Sequence, residues 1–228
     1  MNSRKTILTL TMLIIACTVT LGQNLQLHYD FSSADDGNTD ASRNYFTGTF
    51  EIFKPDNLGS LFMFMDVDFN KSNKGASLAY FEIARKFTLH KKSGFGVQFE
   101  YNDGTPDYIN SAWLTGITYP VNIAGVELST SLLYRINKGN SGPDFQFTTV
   151  WFEPLLEGKL LFSGFVDFWS QDNFSGDGTT WVLLSEPQLW FVLNKAFSIG
   201  TEIEISRNFF TFDGDVEVMP TAAIKLNL

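Results

Sequence analysis

The sequence has almost no cysteine. Cys17 is the only one in 228 residues, and it lies in an N-terminal segment that reads as a signal. Disulfides are therefore excluded from the remainder of the chain. Histidine is nearly as scarce, with His28 and His90 only, so a zinc site of the usual Cys/His spacing has no ligands to draw on. There is no P-loop and no dinucleotide fingerprint, so no cofactor and no metal is expected. Positive charge is also short: 16 Lys+Arg face 25 Asp+Glu, for a net charge of −9. A nucleic-acid partner needs a basic face, and this chain has none to offer. Past the first segment no apolar run approaches the ~20 residues of a membrane helix.

What is present is aromatic residues in quantity: 23 Phe, 7 Tyr and 5 Trp. Mean hydropathy is nevertheless only −0.02. Large apolar side chains must therefore be interleaved with polar ones, which favours strands over helices.

Residues 1–22 read as a secretory signal peptide. Arg4 and Lys5 supply its basic start, residues 7–19 are mostly apolar, and Thr20-Leu21-Gly22 places small residues at a cleavage site. Ile14-Ile15-Ala16-Cys17 also has the look of a lipobox, so a lipidated Cys17 is the alternative. Loss of the signal removes Arg4 and Lys5 and would take the net charge from −9 to −9 − 2 = −11. The expected domain is then a single one, residues 23–228.

Within it almost every segment alternates. The stretch SLFMFMDVDFN at 60–70 sets Leu61, Met63, Met65, Val67 and Phe69 against Phe62, Phe64, Asp66, Asp68 and Asn70. In a strand those two sets occupy opposite faces. The same period predicts strands at 24–32, 45–54, 60–70, 76–89, 94–102, 110–119, 125–137, 144–152, 159–172, 180–193, 197–210 and 216–228. The facing of 110–119 is ambiguous, and Arg85 falls on the apolar face of 76–89, where a bulge or an interfacial position could absorb it. Many of these strands reach the ~10 residues that a tilted strand needs to cross a bilayer. Short connections alternate with longer, Gly/Asn/Asp-rich ones, as periplasmic turns and external loops do. Tyr29, Tyr119, Trp151 and Trp181 stand near strand ends, as aromatic girdles would.

The expected fold is all-β: a membrane-spanning antiparallel up-and-down β-barrel of about twelve strands, in the outer membrane of a Gram-negative bacterium. A soluble secreted β-sandwich alternates too and remains the rival. In the barrel the apolar faces meet lipid and the others line a lumen. The lumen would be acidic and aromatic: Phe62, Phe64, Asp66, Asp68, Glu100, Asp167, Trp169, Glu186, Gln188, Trp190, Glu202, Glu204 and Asn208, with Arg135 in partial compensation. Acids suggest cation preference. Rings that stack and carboxylates that accept hydroxyl hydrogen bonds suggest nucleosides or similar small polar solutes. For any one of these residues, filling the barrel competes with touching a solute. No Ser–His motif marks an enzyme, and the DDGNTD segment at 35–40 lacks the full spacing of a calcium loop.

SEPQLWFVLNKAFSIGTEIEISRNFF, at 185–210, resembles the C-terminal hairpin of the Tsx-type nucleoside-specific channel-forming outer-membrane proteins; FEIARKF at 81–87 and GVQFEYNDG at 96–104 are similar as well. The resemblance implies a monomeric barrel of about twelve strands with a narrow, aromatic-lined lumen that passes nucleosides. Glu186, Gln188, Glu202, Glu204 and Asn208 are the positions where the resemblance and the inward face coincide.

Overall fold

The computed structural model describes residues 22–31, 44–70, 75–106, 109–140, 142–173, 178–209 and 214–228. Residues 1–21, which include Cys17 and all but the last residue of the expected signal peptide, and the DDGNTD segment at 35–40 lie outside the described residues.

The strands follow one another along the chain: β1 (Gln23–Asp30), β2 (Phe46–Asp56), β3 (Gly59–Phe69), β4 (Leu78–His90), β5 (Phe95–Thr105), β6 (Ala112–Ile123) and β7 (Val126–Asn137). They continue with β8 (Asp144–Leu155), β9 (Leu160–Asp172), β10 (Thr179–Ser185), β11 (Gln188–Val192), β12 (Phe197–Arg207) and β13 (Val216–Asn227). Each pairs antiparallel with its neighbours, and β1 pairs with β13, so the sheet closes with no free edge. Closure matters because unpaired strand edges cannot be left in hydrocarbon.

The segment 180–193, expected as one strand, is broken at Glu186-Pro187. Pro187 has no N–H to give to the ladder. The break does not shift register: Ser185 faces Val166 and Gln188 faces Ser163 on β9, while Ser185 faces Ile205 and Gln188 faces Glu202 on β12. β10 and β11 thus act as one barrel strand, and the barrel has twelve. Gly164 makes room for the break. A Cβ there would lie 2.5 Å from the Glu186 carbonyl oxygen and 2.9 Å from Pro187 Cα.

The start of β1 and the end of β13 share the rim of short turns. The Leu228 N–H donates to the Gln23 carbonyl at 3.0 Å, and that of Phe53 donates to the Gly22 carbonyl at 2.9 Å. Pro120, just past the expected strand 110–119, is still within β6; the turn is Ala124-Gly125. β6 pairs with β5 only as far as Thr118, and proline is tolerated where one flank of a strand has no ladder left.

The alternation sorts the two faces as expected. Leu25, Leu27, Ile117, Leu132, Phe145, Phe147, Ile199 and Ile224 are exposed on the outside. Their partners in period, Gln26, His28, Thr118, Ser131, Gln146 and Ser198, are buried inside. An inside-out pattern of this kind is stable only where hydrocarbon covers the exterior. The ambiguous β6 resolves with Ala112, Leu114 and Thr118 inward and Trp113, Ile117 and Tyr119 outward. Part of its inner side is apolar, where Ala112 and Leu114 pack with Leu133, and this hid its facing from the sequence.

Arg85 is an outward residue near the short-turn rim, two pairs from the end of β3. No bulge is needed. Its guanidinium reaches Asp56 at 2.7 Å and lies 4.8 Å over the Phe87 ring. A long cationic side chain near the end of a strand extends to the interface while its stem stays in the apolar layer. The Arg85 hydrogen bond and the Leu58 and Gly59 amides hold the Asp56 carboxyl, at the turn outside the hydrocarbon, low, at about 2.

Candidate functional site

The inward positions of the barrel set Asp30, Glu51, Asp66, Asp68, Glu82, Glu100, Glu127, Asp144, Asp167, Glu186, Glu202, Glu204 and Glu217 against Lys86, Arg135 and Lys225 alone among the described residues. The groups fall into clusters with different degrees of internal pairing.

One cluster fills the half nearer the short turns. Trp190 is fully buried on the inward side of β11. Its Nε1–H donates to Gln188 Oε1 at 2.9 Å, and Gln188 in turn donates to Glu202. Lys225 Nζ lies 3.9 Å over the indole, and the His28 ring meets it edge-on at 5.9 Å. Gly200 backs the ring, since a Cβ there would lie 2.6 Å from it. His28 Nε2 bonds Gln26 Oε1 at 2.9 Å; Gln26 Nε2 reaches Asn24 Oδ1 at 2.8 Å and Glu51 Oε2 at 3.3 Å. Here the polar groups satisfy one another across β1, β2, β11, β12 and β13.

His28 Nδ1 is 3.2 Å from Thr221 Oγ1 and 3.7 Å from Glu202. A nucleophile relay needs hydroxyl and carboxylate on opposite ring nitrogens. Both meet the same nitrogen, and the other faces Gln26, so this arrangement is a packing network.

On β3, Phe62 and Phe64 stand 5.7 Å apart, and Phe64 continues to Tyr80 at 5.6 Å. Beyond them Asp66 accepts from Thr49 at 2.5 Å and Asp68 from Thr47 at 2.6 Å. The two threonines on β2 are partners that the alternation of β3 alone could not indicate.

Towards the other rim, Arg135 donates to Asn137 Oδ1 at 2.7 Å and to Gln146 Oε1, and lies 5.2 Å over the Trp169 ring. Trp169 donates to Gln171 and meets Phe209 edge-on at 5.8 Å. Asp167 accepts from Thr148 at 2.6 Å. Glu100 accepts from Gln98 at 2.8 Å. Glu186, at the strand break, lies within electrostatic reach of Glu202, Glu204 and Asp66.

Of the residues singled out in the sequence, all but one stand on the inner wall. Asn208 is past the end of β12 with a left-handed backbone (φ 56), and its amide donates to the Trp181 carbonyl at 3.0 Å. That bond ties the chain just beyond β12 to β10. The alternation could not show this, because it does not report where a strand stops. Leu133, fully buried on the inner wall, escaped the sequence reading; its neighbour Leu132 is equally apolar and takes the lipid side.

Outside, aromatic pairs band both ends. Tyr101–Trp113 at 4.5 Å and the stacked Phe168–Trp181 pair at 4.9 Å lie near the long loops, and Trp151–Phe162 at 5.6 Å near the short turns. Such belts mark the two membrane interfaces.

A family model described as Domain of unknown function (DUF5020) matches residues 22–228. A search of curated proteins found no match. Among solved structures the chain is similar to the NanC porin, at 8% identity with a TM-score of 0.58, covering 91% of this chain and 100% of that one. It is also similar to outer membrane phospholipase A from Escherichia coli, at 11% identity with a TM-score of 0.51, covering 90% and 92%. At such identities the likeness is one of fold.

Proposed function

The chain belongs to the DUF5020 family, and we propose that it is an outer-membrane channel for the passive, selective diffusion of small polar solutes, nucleosides or molecules like them. The observation that carries this is the division of faces. The outer wall is apolar with an aromatic belt near each rim, and the inner wall combines carboxylates with rings that a flat solute can stack on. An acidic wall favours cations and neutral solutes over anions. Aromatic faces favour planar rings. Phe62, Phe64, Asp66, Asp68, Glu100, Arg135, Asp167, Trp169, Glu186, Gln188, Trp190, Glu202 and Glu204 are the wall residues assigned to this path. The mature protein acts as a monomer after removal of residues 1–22, and its kinship to the Tsx-type channels is part of the same proposal.

A second reading has its own support. Trp190 and Leu133 are inward and fully buried, and the network around Trp190 is internally satisfied, which suits a barrel closed by its own side chains. Planar-bilayer recordings of the purified, folded barrel separate the two. The channel reading expects cation-preferring conductance that adenosine and thymidine reduce. A barrel with no conductance is plugged, and one whose current ignores nucleosides is not selective for them.

A further inference from the structure

Buried carboxylates are as a rule fully hydrogen-bonded. Glu100 is not. It is 4% exposed, and its Oε2 accepts from Gln98, but its Oε1 is buried without a hydrogen-bond partner among the described residues. Register places it on the inner wall between Ala84 of β4 and Leu114 of β6.

The surroundings share one chemical character. Glu82 pairs with Asn102, one diagonal step from Glu100, a spacing of about 7–8 Å in antiparallel sheets. Glu82, Glu100 and Asp167 lie within electrostatic reach of one another, with Arg135 as the base nearby. Tyr80 donates to Glu82 Oε2 at 3.2 Å. Phe64 stands directly opposite Glu82 and 5.6 Å from the Tyr80 ring. The apolar cluster of Ala112, Leu114 and Leu133 adjoins the other side of Glu100.

A bare metal ion is a poor complement to this place. Among the described residues no three acidic or histidine side chains are grouped to ligate one. An organic ammonium is a better one. Its N–H groups supply the donor that Glu100 Oε1 lacks, its charge offsets the carboxylates, and its cation can sit against the Phe64 and Tyr80 rings. Its alkyl stem matches the Leu114 side of the wall. We propose that Glu82, Glu100 and Asp167, flanked by Phe64 and Tyr80, form a lumenal subsite for small organic ammonium ions. The proposal deepens the channel reading and relies on it only for how the ion reaches the subsite.

The test is calorimetric titration of the full folded barrel in detergent with 1,4-diaminobutane, its neutral counterpart 1,4-butanediol, and calcium chloride. The diamine is expected to bind and the diol and calcium are not. Glu100→Gln and Glu82→Gln should each weaken diamine binding about tenfold or more, equivalent to about 1.4 kcal/mol. Heat-modifiable mobility verifies that each variant is folded; should one fail to fold, the other decides. Absent diamine binding, equal binding by wild type and variant, equal binding of the diol, or calcium binding in place of the diamine overturns the subsite. Conductance separates this from the channel reading. Diamine binding without conductance refutes transport and leaves the subsite, whereas conductance without diamine binding refutes the subsite alone.

Discussion

Trp190→Ala is the sharpest test of whether the barrel's own side chains set its permeability. The indole is inward, fully buried, backed by Gly200, capped by Lys225 at 3.9 Å and anchored to Gln188 at 2.9 Å. Truncating a buried Trp costs ~3–5 kcal/mol when the space stays empty. This space is lined by Gln188, His28 and Lys225, so water can enter it, which puts the cost at the low end, about 3 kcal/mol. Within that total, the cation–π contact to Lys225 contributes about 0.5–2 kcal/mol and the Nε1–H bond about 1 kcal/mol. The barrel should therefore survive with reduced resistance to heat and denaturant. Its conductance should rise, because the widest side chain on that section of wall has gone. Two measurements on one preparation are required: denaturant unfolding followed by heat-modifiable mobility, and single-channel recording. A folded Trp190→Ala barrel with unchanged conductance would refute the reasoning, because the indole would then not narrow the solute path.

Three further outcomes are expected. Asp66→Asn with Asp68→Asn should lower cation preference in bilayer reversal potentials; unchanged selectivity would mean that Thr47 and Thr49 hold both acids out of the path. Asp56 has a carboxyl depressed to about 2 by Arg85 and the turn amides, so its contribution to stability is full above its unfolded value of about 3.9 and is lost as pH falls towards 2. The difference in thermal midpoint between wild type and Asp56→Asn should accordingly stay constant from pH 7 to 5 and vanish between pH 4 and 2. Gly116→Ala would set a Cβ 2.0 Å from the Leu132 carbonyl oxygen and 2.8 Å from Leu133 Cα, so strand β6 must shift, at roughly 1–3 kcal/mol; an unaltered denaturation midpoint would show that the wall yields there freely.

The strands were legible because their period is local. Leu25 and Leu27 against Gln26 and His28 sort themselves without reference to any other strand, and the same holds along β3. The legibility failed in particular places. In β6 part of the inner side is apolar, so Ala112 and Leu114 gave no contrast with Trp113 and Ile117. Pro187 interrupts a strand whose side-chain period continues across the gap, so the break has no signature in the alternation. Arg85 looked misplaced because depth in the membrane is set by how far β3 and β4 run past one another, and only then does Asp56 come within reach.

The sequence by itself determined the all-β class, the face of nearly every residue and the acidic, aromatic character of the inner wall. These follow from a period of two and from composition. Tertiary structure alone decided which inward groups satisfy one another. Lys225 meets Trp190 and His28 meets Thr221 because β1 closes against β13 and β11 lies one strand beyond β12, a neighbourhood fixed by barrel closure and register. The same closure leaves Trp190 held on several sides and Glu100 with an open oxygen, although in sequence both are simply inward residues on alternating strands.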